Sequence, residues 1–580
     1  MCGIFGQVSN DGINEDNFME RLKLMSHRGP DDIGVFHNQG VSLGHVRLSI
    51  QDTSIDGHQP MVDKNGNNII VYNGEIYNFK EIKKSLEVKG YAFNSNSDTE
   101  VILNGFIEYG EKIVNKLNGM FAFAIYNKRN GSIFLARDRS GIKPLYFYKK
   151  DKDFIFSSEV KVLREFSKGV DFQSKILFLL LGSVPEPKTI YDEISVFPSG
   201  CYGYYSNGIL ETIKYDEYTY SPKIVKPYSE IVKDVNELMH ESVKRHLISD
   251  APIGAFLSGG LDSSAITAIA AQYKDNLQTL SLVFEEKDLS EEYYQDLVVK
   301  RYSTKHTKFN VNEDMFLESI DSFMDSFDQP SIDGLNTYFV AKAASESGLK
   351  AVLSGVGGDE IFYGYPSFKN SKKLHFLSKV PYYIIKIFQQ HHKYKKLELL
   401  KIESDLALYL PTRSVFSPTE IASILGIKVD VIYKEISNLW EEYNSLHIKK
   451  IDDKISFFEL EIYMKNQLLR DTDVFGMANS LEIRVPFLDK ELVDYVLKIQ
   501  PQEKYDKHIN KIILADAMRS ILPDEIIDRP KMGFTLPFEY WFRKHINKFE
   551  LSQSVKESFL NKQLHWSRVW ALIVLSKFSP

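Results

Sequence analysis

Two architectures follow one another along this sequence: an α+β half rich in antiparallel strands, then an α/β half on a parallel, doubly wound sheet with added helices. Three observations predict that order. Short β-branched and aromatic runs separated by turn residues fill the chain to about Tyr215. A stretch carrying Pro222 and Pro227 among Tyr, Ser and Lys interrupts the pattern over Tyr215–Pro227. Beyond it the rhythm becomes strand, glycine turn and helix, which is what the crossovers of a parallel sheet require. The expected units are residues 2–215, a linker at 216–228, and residues 229–580.

In the first half, Asn17–Met25 and Thr99–Tyr109 carry helical spacing. Met120–Tyr126 and Ser132–Ala136 flank Asn130-Gly131, a hairpin signal, and strands are also expected at Leu145–Tyr148 and Phe154–Ser157. In the second half, the strand Ile253–Leu257 leads through Ser258-Gly259-Gly260 into a helix running through Ala265–Tyr273. Further strands are expected at Thr279–Phe284 and Ala351–Leu353. Residues from Lys372 to Trp440, rich in Lys, Leu and Tyr, are expected to form a helical elaboration, and there is no internal repeat.

At 580 residues and 43% hydrophobic, the chain can bury several cores, two to four at roughly 150 residues per domain. The net charge of −7, from 71 basic and 78 acidic residues without a basic block, argues against nucleic acid as a partner. Cys2 and Cys201 are the only cysteines, so neither a disulfide framework nor a paired-cysteine metal site is expected, and a reducing cytoplasm fits best. Met-Cys-Gly-Ile-Phe-Gly-Gln lacks the features of a secretory signal, and the run Ile176–Leu181 is too short to span a bilayer, so no membrane association is expected.

Removal of Met1 would leave Cys2 with a thiol and a free α-amine. An amine with a reference pKa of roughly 7.7–8.0 can act as general base for its own thiol. Taken singly, a cysteine at position 2 is an incidental small residue. Its company changes that: Ser26-His27-Arg28-Gly29-Pro30-Asp31-Asp32, Arg47-Leu48-Ser49-Ile50, Asn73-Gly74-Glu75 and Ser97-Asp98, at positions flanking expected strands. Together these resemble the glutaminase domain of the N-terminal-nucleophile amidotransferases, over essentially all of residues 2 to ~200. The resemblance implies an αββα sandwich with Cys2 as the nucleophile toward glutamine. It implies that Arg47 and Asp98 take the α-carboxylate and α-ammonium, that Leu48, Ser49, Ile50 and Glu75 help hold the substrate, and that Asn73 and Gly74 form the oxyanion hole. His27 is expected to be a structural hydrogen bonder.

Ser258-Gly259-Gly260-Leu261-Asp262-Ser263-Ser264, between strand and helix, can cradle an anion on backbone N–H groups. It lacks the Lys-Ser/Thr ending of a Walker loop and resembles the pyrophosphate loop of ATP pyrophosphatases. Leu353-Ser354-Gly355-Val356-Gly357-Gly358-Asp359-Glu360 also follows a strand, at the carboxyl edge where open α/β sheets bind ligands. Asp262 and Asp359 are therefore expected to face one pocket and to suit Mg²⁺ beside ATP. The resemblance further implies adenosine contacts at Leu257, Phe284 and Ser354-Gly355, and a charge-stabilising lysine at Lys531 in Arg529-Pro530-Lys531-Met532-Gly533-Phe534. Ser480–Asp489 is a further family signature, open between packing and substrate contact.

The joined halves resemble the glutamine-hydrolysing asparagine synthetases. The resemblance implies glutamine hydrolysis in one half, adenylation of a carboxylate in the other, an internal ammonia passage and commonly a homodimer. Two departures bear on the acceptor. Val356 stands where asparagine synthetases carry a Glu, and Asp328–Thr337 holds no Arg that could bind aspartate. Asp333 or Glu360 could take over the proton transfer. Aspartate is the leading acceptor, another carboxylate such as a sugar acid of surface polysaccharides the first alternative, and a non-catalytic scaffold the second.

Overall fold

The computed structural model describes residues 2–284, 290–388, 392–506, 510–529 and 537–578. Twelve strands occupy the described residues up to 214: β1 (Cys2–Val8), β2 (Asp32–Asn38), β3 (Val41–Arg47), β4 (Met61–Val62), β5 (Asn68–Ile76), β6 (Gly119–Asn127), β7 (Ile133–Arg137), β8 (Tyr146–Lys150), β9 (Asp153–Ser157), β10 (Ile194–Val196), β11 (Cys201–Ser206) and β12 (Ile209–Lys214). They form two six-stranded sheets, ordered β10-β8-β9-β1-β3-β2 and β12-β11-β7-β6-β5-β4, with antiparallel neighbours throughout.

Period-two alternation explains the layering. Ile4 shares a core with Ile69, Val71 and Phe154 between the sheets, whereas the next residue, Phe5, stacks outward on Phe18 of the helix Glu15–Lys23 at 4.5 Å. On β5, Ile70 and Tyr72 face the other way, onto the helices Phe79–Val88 and Asp98–Tyr109. The result is helix, sheet, sheet, helix. The same parity puts Cys2 with Ile4, and Asn73 with Ile69 and Val71, on the two faces that meet. Two expectations change in detail. Asn73-Gly74-Glu75 lies inside β5 rather than beside a strand, and Asn130-Gly131 lies within a five-residue connection, 128–132, in which Gly131 at φ +70° closes onto Asn127, rather than forming a two-residue turn.

Five strands follow among the described residues: β13 (Ile253–Phe256), β14 (Gln278–Val283), β15 (Lys305–Asn310), β16 (Ala351–Leu353) and β17 (Glu482–Arg484). All pair in parallel, in the order β15-β14-β13-β16-β17. The chain leaves β13 toward β14 on one side and returns to β16 on the other, so the topological switch point lies between β13 and β16. Residues 215–227 carry no helix or strand, yet they pack rather than hang free: Tyr218 and Tyr220 are buried and Lys223 pairs with Asp453 at 2.9 Å. Most of the segment 372–440 is helical, including Pro418–Leu425, closed by a Ser417/Glu420 capping box, and Val429–Glu442. No helix among the described residues is long and apolar enough to cross a membrane.

Candidate active sites

Cys2 opens β1 opposite Arg47, the last residue of β3. Its backbone nitrogen donates to Asn73 Oδ1 at 3.1 Å, and the Leu48 N–H faces its sulfur. Burial pushes the thiol up, while the amino-terminal charge, the Leu48 N–H and Arg47 pull it down and Glu482 adds to the rise. The thiol therefore needs a base to ionise. Asn73 is fully buried, and its Nδ2 has no hydrogen-bond partner among the described residues. A buried amide donor left unpaired costs roughly 1–3 kcal/mol unless a ligand uses it.

Gly74 supplies the neighbouring donor. The N–H groups of Tyr72 and Ile76 point away from β6, to Gln59 Oε1 at 2.7 Å and Asp98 Oδ2 at 2.9 Å. By strand parity the Gly74 N–H points the same way. A Cβ there would lie 2.1 Å from Met120 O, so only glycine fits. Asp98, at the start of its helix, also accepts from Tyr72 Oη at 2.8 Å. Burial raises its carboxyl to about 6, against those two donors. Arg47 is anchored on the carbonyls of Ser54, Gln51 and Asp52. Ser49 N donates to Asp31 Oδ2 and Ile50 O accepts from Asp250, so Leu48–Ile50 is pinned on both sides. His27 pairs with Glu159 at 2.9 Å and does not enter this cluster.

The second half reaches into the first. Glu75 Oε1 meets Arg484 Nη2 of β17 at 3.2 Å, while Arg484 Nε donates to Glu482 at 2.6 Å. Arg484 Nη1 holds the carbonyls of His246 and Ile248. Burial pushes the Glu75 carboxyl well up, against Arg484. Burial works the same way on Glu482, but the amino-terminal charge, Arg484 and Lys143 overcome it and hold that carboxyl down at about 2. Sequence reading singled out Ser480–Asp489 but left this role open; the signal was present without its partner.

At the switch point, Ser258 and Ser263 hydroxyls lie 3.0 Å apart and Gly260 N donates to Ser258 Oγ, a tight turn into the helix Leu261–Tyr273. Gly259 has φ +79°, and its carbonyl accepts from Arg529 Nη1 at 2.8 Å. Leu257 is tied to β14 through Leu280 O, Ser264 is buried in the first turn of the helix, and Phe284 follows β14 half-buried. Ser354 N donates to Arg484 O, and a Cβ on Gly355 would lie 3.1 Å from Asp262 Cβ. Lys531 lies outside the described residues.

Asp262 and Asp359 do converge, on a residue that sequence reading missed. Lys511 Nζ sits 2.5 Å from Asp262 Oδ2 and 2.6 Å from Asp359 Oδ1. Burial would depress this lysine, but the two carboxylates raise it above its ordinary value. Its backbone is left-handed at φ +55°, which costs about 1–2 kcal/mol that the double ion pair must hold in place. Nothing in Asn510-Lys511-Ile512 signals it. Glycines make the convergence possible: a Cβ on Gly358 would sit 2.8 Å from Asp262 Oδ1, and one on Gly364 1.9 Å from Asp359 Oδ1. Among the described residues no cluster of three or more acidic, His or Cys side chains could hold a metal, so two carboxylates are what the protein offers one. That donor set fits Mg²⁺, which completes its shell with phosphate oxygens and waters. Next in sequence, Glu360 is buried and accepts from Tyr365 Oη at 2.8 Å. Burial, reinforced by Asp359, raises its carboxyl to about 7.

Comparison with known proteins agrees with both halves. Residues 1–216 match the model of the glutamine amidotransferase domain, and residues 234–568 that of asparagine synthase. "Asparagine synthetase [glutamine-hydrolyzing] 1" of Bacillus subtilis is 30% identical, over 99% of this chain and 93% of that protein. "Putative asparagine synthetase [glutamine-hydrolyzing] 2" of Methanocaldococcus jannaschii is 35% identical over 76% of this chain and 90% of its own length. "Amidase chry2" of Gibberella zeae is 26% identical over 93% of this chain and 90% of its own. The chain belongs to the asparagine synthase family and is a glutamine-dependent, ATP-using amidotransferase of its ligase type.

Proposed function

We propose that this protein amidates a carboxylate with nitrogen from glutamine, by way of an acyl-adenylate, with aspartate the reference acceptor. The observation that carries the reading is the buried, unpaired Asn73 Nδ2 beside Cys2. In the glutaminase half the α-amine of Cys2 takes the thiol proton and the thiolate attacks the glutamine amide carbon. Asn73 Nδ2 and the Gly74 N–H hold the oxyanion, the Cys2 α-ammonium returns its proton to the amide nitrogen, which leaves as ammonia, and water releases glutamate from the thioester. Arg47 and Asp98 take the two ends of the amino acid, with Leu48–Ile50 and Glu75 closing the pocket.

In the synthetase half a carboxylate oxygen attacks the α-phosphorus of ATP and pyrophosphate departs from the Ser258–Ser264 loop. Ammonia then attacks the acyl carbon and AMP leaves. Asp262 and Asp359 would hold Mg²⁺, whose charge would offset the phosphates. Glu360 takes the proton that ammonia must lose, since Val356 cannot, and Lys531 steadies the phosphate charge. Leu257, Phe284, Ser354 and Gly355 frame the adenosine.

The test is incubation with ATP, Mg²⁺, glutamine and aspartate, scored for asparagine, AMP and pyrophosphate. If glutamine is consumed without aspartate-stimulated pyrophosphate release, aspartate is the wrong acceptor. The two departures, Val356 and the missing arginine, support a second reading in which the same chemistry acts on another carboxylate.

A further inference from the structure

The residues around Cys2 are held in part by the second half of the chain. Asp250, ahead of β13, donates its N–H to Ile50 O at 3.0 Å and accepts the Asp52 N–H at 2.9 Å. Lys350, ahead of β16, pairs at 2.5 Å with Asp31, the carboxylate that also takes the Ser49 N–H at 2.7 Å. Arg484, at the end of β17, reaches Glu75. The loop Leu48–Ile50 and the end of β5 therefore rest on the parallel sheet as well as on their own half.

Arg484 has little freedom. It is fully buried, Nε donates to Glu482 at 2.6 Å, and Nη1 holds the carbonyls of His246 and Ile248 at 2.7 and 2.6 Å, so the planar fork turns Nη2 toward Glu75. The contact there is one of charge: Nη2 lies 3.2 Å from Glu75 Oε1 without forming a hydrogen bond, and Glu75 Oε2 has no hydrogen-bond partner among the described residues. Glu75 is 4% exposed and, two residues along β5 from Asn73, stands on the same face of the strand. A carboxylate oxygen buried and open at that place suits a ligand's ammonium group.

The charges around Glu75 are short of one cation. Burial pushes its carboxyl well up; Arg484 opposes that rise, Glu482 and Asp98 reinforce it, and the amino-terminal charge opposes it. An arriving α-ammonium supplies the missing cation. Without Arg484 it would have to ionise Glu75 alone, against burial and two neighbouring carboxylates.

We infer that Arg484, from the synthetase half, is a positioning residue of the glutamine site, holding Glu75 in place to take, with Asp98, the α-ammonium of the substrate. The inference rests on the proposed glutaminase reading and adds to it a residue of the other half that acts through Glu75.

Steady-state hydrolysis by the full chain tests it with two amides, L-glutamine and glutaramate, which is glutamine without its α-amine. The wild type is expected to prefer glutamine about tenfold or more in kcat/KM. In Arg484→Gln, kcat/KM for glutamine should fall about tenfold, carried by KM, while kcat for glutamine and kcat/KM for glutaramate stay within about threefold. A pocket that had merely loosened would lose both amides alike. Added to Glu75→Gln, Arg484→Gln should cost nothing further, because its route to the substrate is gone. That double variant removes both members of the pair and, compared with Glu75→Gln alone, carries the test where Arg484→Gln by itself does not fold. No glutamine preference in the wild type, equal loss on both amides, no loss on glutamine, a fall carried by kcat, or a further loss in the double variant overturns the inference. Each of these leaves glutamine hydrolysis, and with it the amidation reading, standing. A wild type that releases no glutamate from glutamine removes both.

Discussion

The two reaction centres are built differently. The Cys2 centre rests on strand ladders, so parity aims Cys2, Asn73 and Gly74 at one point and leaves a donor ready there. The Asp262/Asp359 centre rests on loops after β13 and β16, and its charges are closed on each other through Lys511. In the proposed reading the glutamine side is preorganised before substrate arrives, whereas the ATP side exchanges an internal cation contact for its ligands. Their meeting point is β17, whose Arg484 touches Glu75 while its main chain pairs with Leu353 and Ser354.

Cys2→Ala draws the sharpest line between the centres. Glutamine-dependent amide formation should fall at least about 10⁴-fold, with ammonia-driven synthesis unchanged within a factor of about two. Glutamate release and pyrophosphate release measure the two separately, and loss of the ammonia-driven rate would show the centres are not separable. For Asn73→Ala the expected loss is about 10²–10³ in glutaminase kcat with little change in KM. An effect confined to KM would remove the oxyanion role.

On the other side, Glu360→Gln should slow amide formation by about 10²-fold, in the range for general base catalysis. The wild-type, glutamine-driven rate should rise with pH through about 7 as Glu360 ionises, and the variant should lose that limb. The stability sign is opposite: because burial raises this carboxyl, the folded state keeps a proton that the unfolded state has lost, so stability falls as pH rises from about 4.5 to about 7. Thermal melts of wild type and Glu360→Gln across that window check it.

Lys511→Met should give the smallest effect, a destabilisation of about 2–3 kcal/mol, reduced from that of a fully buried pair because both aspartates are partly exposed. Added Mg²⁺ should raise the melting temperature of this variant more than that of wild type. Equal shifts would mean that Lys511 and the metal do not compete for the carboxylates.

Much of both centres was legible before any coordinates. Ser258–Ser264 announces itself because a strand, a glycine turn and a helix are adjacent in the chain, and anion binding there depends on local backbone alone. Asn73-Gly74-Glu75 stands out as a motif but lies inside β5 rather than at its flank: its polar side chains interrupt the apolar run of the strand, and periodicity cannot tell that from a strand end. Lys511 lies 249 residues from Asp262 and carries no local mark.

By itself the sequence determined the order of the two architectures and marked Cys2 and the loops Ser258–Ser264 and Leu353–Glu360 as candidate sites, because each is a short-range pattern of period, turn chemistry and residue type. Only the tertiary structure decided that Lys511 bridges the two aspartates and that Arg484 reaches Glu75. Those are contacts between side chains far apart in the chain, and charge pairing across such distances is set by packing and burial rather than by any neighbour in sequence.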